Sequence, residues 1–156
     1  MDYTLKPLTT IDINLALEHA KIFVGAYPSD MVPVARKDSA QAFVINTAPQ
    51  STQGEHWTAM ILKGSKCLYF DSFGLPIQNH TLTTSLKNVG VRTYKYNSCQ
   101  IQPILSNCCG YYCIAFIISY ICDYSYADFL SHFISDVKQN DAICYKFIVE
   151  HMNKVS

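Results

Sequence analysis

The sequence of 156 residues lacks an excess of charge of either sign, since twelve basic residues balance twelve acidic ones. The isoelectric point is about 6.9. Nucleic-acid-binding proteins usually carry a basic surplus that neutralises phosphates. The composition therefore argues against a dedicated nucleic-acid binder, and Lys87, Arg92 and Lys95 are the best candidates for a local basic patch.

The sequence also lacks long hydrophobic runs, Gly/Ser linkers, charge blocks and internal repeats. Its most apolar stretch, residues 114–122, is too short for a membrane span, which needs about 20 residues. The first ten residues show no apolar run behind a basic start, so we expect no secretory signal. Hydrophobic residues make up 49% of the chain. That is enough for one core, and we predict a single domain over residues 1–156.

A disulfide framework is lacking as well. The seven cysteines are an odd number without regular spacing, which is typical of free thiols in a reducing compartment. The cluster of Cys108, Cys109, Cys113 and Cys122 contains no C-x-x-C pair and has no paired histidines nearby. We therefore predict no metal site and expect most of these thiols to be small core residues.

Hydrophobic periodicity and turn residues predict an α+β fold, in which a mixed central sheet of about four strands is packed by helices. Residues 27–37 are predicted as a loop, residues 48–55 as a turn and residues 63–66 as a tight hairpin turn. The predicted helices cover residues 11–24, 83–88, 109–124, 126–137 and 141–153, and the predicted strands cover residues 42–47, 56–62, 67–70 and 91–96.

His56 stands where a turn enters a predicted strand, and Asp71 follows the strand that returns from it. The tight turn makes these strands antiparallel neighbours, so both side chains should lie at one edge of the sheet within hydrogen-bond reach. An imidazole can take and return a proton near neutral pH, and a carboxylate can fix its tautomer and stabilise its charged form. Taken singly, His56 also fits a surface position and Asp71 a turn cap.

Cys109 opens the most apolar predicted helix. A thiol on a first helical turn faces unpaired backbone N–H groups and the positive end of the helix dipole, which both stabilise the thiolate. Gly110 leaves space for a substrate carbonyl near the backbone, and Cys108 is the rival nucleophile. Gln102 lies in an irregular loop seven residues before Cys109. It fits either an oxyanion donor, which supplies about 3 kcal/mol in enzymes that use one, or a solvent-exposed loop amide.

The order His, acid, Gln, Cys resembles that of the adenovirus protease (adenain) and of its wider clan of SUMO and ubiquitin-like-protein proteases. The resemblance extends over residues 11–124, and its four blocks follow the order of that family. These blocks are FVGAYPSDMVPV (23–34), AFVINTAPQSTQGEHW (42–57), CLYFDSFG (67–74) and QPILSNCCGYYC (102–113). The resemblance implies an adenain/Ulp1-like cysteine protease fold.

By this resemblance His56, Asp71 and Cys109 form a catalytic triad, Gln102 helps to build the oxyanion hole, and Trp57 lines the cleft beside the scissile bond. The resemblance implies a cysteine endopeptidase that cleaves viral capsid or core precursor proteins at glycine-containing sites during virion maturation. Its location would be the virion and the infected host cell. We expect a monomer without membrane association, whose partners are those precursor polypeptides and which requires no cofactor.

Two features differ from the adenovirus enzymes. Asp71 stands where the adenovirus enzymes have glutamate, whereas aspartate is common at this position in the wider clan. Those enzymes are basic and are activated by DNA and by a disulfide-linked viral peptide, whereas this chain is neutral. Its loop cysteine, Cys99, lies much closer to Gln102 than the peptide-linking cysteine of those enzymes does. These differences argue against both activators and favour a relative from a virophage, a Polinton-like element or another adenovirus-like virus. The alternatives are a deconjugating protease for a ubiquitin-like modifier, an acyltransferase and an inactive binding module.

Overall fold

A computed structural model of the chain describes residues 5–48 and 56–156. In this part of the chain a mixed five-stranded sheet is packed by helices on both faces, which confirms the predicted α+β class. The strands are β1 (Phe23–Pro28), β2 (Gln41–Asn46), β3 (Trp57–Lys63), β4 (Lys66–Phe70) and β5 (Lys95–Tyr96). The helices are α1 (Thr10–Leu17), α2 (His80–Asn88), α3 (Cys109–Ile121), α4 (Tyr126–Leu130) and α5 (Asn140–His151), and short 3-10 helices cover Val137–Gln139 and Met152–Lys154.

The sheet has the spatial order β1-β2-β3-β4-β5. Its inner pairs, β2 with β3 and β3 with β4, are antiparallel, and the outer pairs, β1 with β2 and β4 with β5, are parallel. The predicted hairpin between β3 and β4 is confirmed: Lys63 pairs with Lys66 across a tight turn in which Gly64 adopts a φ of 60°. Glycine takes this left-handed conformation without the steric cost of a side chain.

The helix predicted over residues 11–24 is wrong in its second half, because α1 ends at Leu17 and residues 23–28 form β1. The predicted start holds, since the Thr9 side chain and Asp12 form a capping box. After the helix, Ile22 takes a φ of 66°, which turns the chain. The following segment is then free to pair in parallel with β2. The predicted sheet lacked this strand because its partner lies far away in sequence.

Other element boundaries also differ from the predictions. The strand predicted over residues 91–96 shrinks to Lys95–Tyr96, and the helix predicted over 126–137 is reduced to Tyr126–Leu130. Beyond α4, the buried Asn140 side chain bonds both the N–H and the carbonyl of Ile134, which holds this stretch in an irregular path. Helix α2 begins at His80, α3 ends at Ile121, and residues 49–55 of the predicted turn lie outside the described residues.

Helix α3 lies in the centre of the molecule between β3 and α5. Gly110 and all residues from Tyr112 to Ser119 are buried, as expected for a helix that is apolar on every side. The helix ends at a left-handed residue, Asp123, beyond which the Tyr124 N–H returns to the Ser119 carbonyl. This central packing fixes the N-terminus of α3, and with it Cys109, against the start of β3.

Candidate active site

The hairpin of β3 and β4 brings His56 and Asp71 together, as predicted. His56 directly precedes β3 and Asp71 directly follows β4, and the ladder between the strands ends with Ala59 opposite Phe70. The Nε2 atom of His56 lies 2.8 Å from Oδ1 of Asp71. Their side chains are only 15% and 5% exposed, so the pair is shielded from most of the solvent.

Asp71 also orders the turn that follows it. The same Oδ1 atom accepts a hydrogen bond from the Phe73 N–H at 2.8 Å, and the Gly74 N–H donates to the Asp71 carbonyl at 2.7 Å. The alternative role of Asp71 as a turn cap is therefore confirmed, and the same carboxylate oxygen also contacts the imidazole. The Phe73 ring stacks on the His56 ring with centroids 4.8 Å apart, which fixes the plane of the imidazole.

Cys109 completes the cluster from the N-terminus of α3. Its Sγ accepts a hydrogen bond from the Trp57 N–H at 3.4 Å, and its side chain lies near enough to the His56 ring to raise the pKa of that ring. Because Nε2 of His56 is bound to Asp71, Nδ1 is the ring nitrogen that is left to exchange a proton with the sulfur. The structure thus joins three side chains that are dispersed in the sequence. A thiol beside a base that a carboxylate orients is the arrangement of nucleophilic catalysis.

The surroundings of His56 favour its charged form. Burial opposes the charge, but hydrogen bonding and electrostatic interaction with Asp71 and Cys109 raise the pKa of His56 to about 9. The ring therefore carries a proton at neutral pH and can hand it to a leaving group.

Cys108, the rival nucleophile, is 5% exposed, and burial raises the pKa of its thiol to about 11. Cys113 is fully buried, and desolvation raises its pKa well above the ordinary value. Both thiols are therefore held in their neutral, unreactive form. Cys109 differs because it is only half-buried and touches the imidazole, which favours Cys109 as the reactive thiol.

Gln102 is 1% exposed, which excludes the alternative of a solvent-exposed loop amide. Its Nε2 donates to the Ser106 carbonyl at 2.9 Å, and its Oε1 accepts a hydrogen bond from the Ser72 hydroxyl. The amide thereby links the loop after β4 to the loop before α3. Its role as an oxyanion donor remains a prediction.

Trp57 and Gly110, the predicted substrate-binding residues, both contact the N-terminal segment. The Trp57 side chain is buried in the core, and its indole N–H donates to the Leu8 carbonyl at 2.9 Å. A Cβ atom at Gly110 would stand 3.1 Å from the Cβ atom of Leu8. The space that the missing side chain leaves is therefore filled by Leu8, and a cleft-lining role of the two residues remains a prediction.

Three features of the site were not predicted from sequence: the stacking of Phe73 on the imidazole, the Trp57 N–H directed at the sulfur, and Asn97. The Asn97 amide bonds both backbone groups of Asp71. Phe73 lies in a block that suggested the protease resemblance, so its position held a signal. Asn97 is a single polar residue after a weak strand, and no local pattern distinguishes it.

Within the described residues, no group of three or more His, Cys, Asp or Glu side chains is placed to hold a metal ion. The same residues contain no helix with the length and hydrophobicity of a membrane span.

Comparison with known proteins shows a likeness in structure. No protein-family model matches the sequence, and no curated protein does. Among solved structures, the chain is similar to the ASFV pS273R protease with a TM-score of 0.49 and 22% identity. The match covers 67% of this chain and 43% of that one, so the chain corresponds to less than half of that protein.

Proposed function

We propose that this chain is a cysteine endopeptidase that cleaves viral capsid or core precursor proteins at glycine-containing sites during particle maturation. The observation that supports a thiol protease is the contact of one imidazole, His56, with both a sulfur and a buried carboxylate. The viral substrates and the glycine preference come from the sequence blocks that resemble the adenovirus protease. The enzyme works as a monomer in the virion and the infected cell, without a cofactor.

The proposed reaction follows from the arrangement of the three side chains. His56 holds the proton that Cys109 gives up, and the thiolate attacks the carbonyl carbon of the scissile peptide bond. The resulting oxyanion is stabilised by the Cys109 N–H, at the start of the helix, and by Gln102. His56 then gives its proton to the departing amine, which leaves a thioester on Cys109. Water hydrolyses the thioester with His56 as the base, and the free thiol returns.

The test is cleavage of candidate viral capsid and core precursor proteins, with products identified by mass spectrometry. We expect cuts next to glycine, and replacement of that glycine by alanine should slow cleavage strongly. Cys109→Ala and His56→Ala should abolish turnover without unfolding the protein, which circular dichroism checks. Near-normal cleavage by either variant would refute the assigned roles.

A parallel assay with probes derived from ubiquitin-like modifiers separates maturation from deconjugation. If the protein reacts faster with such a probe than with the precursors, the substrate is a ubiquitin-like modifier instead, and the roles of the three catalytic side chains are unchanged. A failure of Cys109 to react with any electrophilic probe faster than an ordinary thiol would reject the enzyme and favour a binding module.

A further inference from the structure

Asn97 directly follows β5 and is 2% exposed. Its Oδ1 accepts a hydrogen bond from the Asp71 N–H at 3.1 Å, and its Nδ2 donates to the Asp71 carbonyl at 2.6 Å. One side-chain amide thus makes both hydrogen bonds that a neighbouring strand would make with this residue.

Asp71 needs such a partner because both adjacent ladders stop before it. The pairing of β4 with β3 ends at Phe70, and the pairing of β4 with β5 ends at Tyr69. Asp71 is nevertheless 3% exposed. Buried backbone N–H and carbonyl groups are destabilising when they lack partners. At the point where the strand turns away, the Asn97 amide supplies the partner of the Asp71 N–H and adds a second donor to the Asp71 carbonyl, beside the Gly74 N–H.

Asn97 is itself fixed by a buried tyrosine of α4. The Tyr126 hydroxyl accepts a hydrogen bond from the Asn97 N–H at 3.1 Å and lies 2.6 Å from the Tyr69 carbonyl. This network holds the Asp71 backbone on one side, and the Phe73 N–H holds its carboxylate on the other. The two anchors together define the direction in which the carboxylate points.

We propose that Asn97 is a positioning residue, whose amide clamps the Asp71 backbone so that the carboxylate stays against Nε2 of His56. This role deepens the proposed function and rests on it, because the direction of Asp71 affects catalysis only through His56 and Cys109. Asn97 itself does not touch the reacting atoms.

The test compares Asn97→Ala with Asn140→Ala. Asn140 is a matched control, since it is equally buried and its side chain makes three hydrogen bonds to the backbone at Ile101 and Ile134. Both variants should lose thermal stability. The distinguishing measurement is the titration of His56, followed by NMR of histidine-labelled protein. The ionisable groups that interact with this ring are Asp71 and Cys109.

We expect Asn97→Ala to lower the pKa of His56 by about one pH unit or more and to reduce kcat about tenfold. KM should change little, because substrate binding does not depend on the clamp. The Asn140→Ala variant should titrate like the wild type. If Asn97→Ala fails to fold, Asn97→Ser replaces it, since serine stays polar but is too short to reach both backbone groups; the same expectations apply.

A His56 titration that is unchanged in the Asn97 variant would overturn the proposal, even if activity fell. The titration requires no substrate. A lowered pKa in a protein without peptidase activity would therefore support the clamp and reject the proposed function, so the two failures are distinguishable.

Discussion

The contact between His56 and Asp71 predicts a pH-dependent stability that one substitution removes. Burial opposes the charged ring, but hydrogen bonds and charge from Asp71 and Cys109 raise the pKa of His56 from 6.5 to about 9. One pKa unit corresponds to about 1.4 kcal/mol, so the charged ring favours the folded state by about 3 kcal/mol. Both side chains are largely shielded from solvent, so screening reduces this value little.

The sign follows from the direction of the pKa change. Because the pKa in the folded protein exceeds that in the unfolded chain, the stabilisation is complete below about pH 6.5 and is lost as the pH rises through about 9. Asp71→Asn removes the charge at nearly constant shape, so the pKa of His56 falls, because burial opposes the charged ring and only Cys109 still supports it. In this variant the charged ring favours the folded state less, so less stability is lost as the pH rises towards 9.

Urea denaturation at a series of pH values measures the effect as a free energy of unfolding. We expect the difference between wild type and Asp71→Asn to shrink by up to about 3 kcal/mol from about pH 6.5 to about pH 9.5. Taking the difference cancels the titration of groups that both proteins share. The exposed Asp38 offers a control, since Asp38→Asn makes the same chemical change away from the site. Parallel pH profiles of wild type and Asp71→Asn would refute the reasoning.

Two further predictions concern a cysteine pair and a glycine. Iodoacetamide at neutral pH should alkylate Cys109 faster than Cys108, because burial raises the pKa of the Cys108 thiol to about 11. Peptide mass spectrometry measures both rates, and faster labelling of Cys108 would contradict the choice of Cys109 as nucleophile. The Cys108→Ala variant should retain measurable activity. Gly74→Ala should lower the free energy of unfolding by about 2 kcal/mol or more, because Gly74 has a φ of 78° and a Cβ atom there would lie 2.6 Å from the Cys99 carbonyl carbon. Gly64→Ala is the control, with a similar φ but open space around it, and an equal loss in thermal denaturation of both variants would exclude the clash as the cause.

The parts of the fold that were predictable depend on local patterns. The β3–β4 hairpin is specified by two short apolar runs and the glycine turn between them, and the proximity of His56 and Asp71 follows from that hairpin alone. The buried helix α3 was evident from its uninterrupted apolar composition. Its N-terminal Cys109 could then be proposed as a nucleophile from the general properties of helix ends.

The parts that were not predictable depend on partners distant in sequence. Residues 23–28 become a strand because β2 lies beside them, whereas their local periodicity continues that of α1. Helix α4 stops early because Asn140 binds the backbone of Ile134. Asn97 and Leu8 were missed as contacts of site residues for the same reason, since each meets these residues only through tertiary contacts.

The order of these residues along the chain has a consequence for assembly. His56 and Asp71 are 15 residues apart and share one hairpin, whereas Cys109 joins His56 and Trp57 only across more than fifty residues. Closing a longer loop costs more conformational entropy, so hairpin contacts form readily and distant ones later. During synthesis, a ribosome that has completed residue 71 has produced the base and the acid but not yet the nucleophile. A nascent polypeptide therefore has no nucleophile at this site with which to cut neighbouring proteins until residue 109 has been made and α3 has packed.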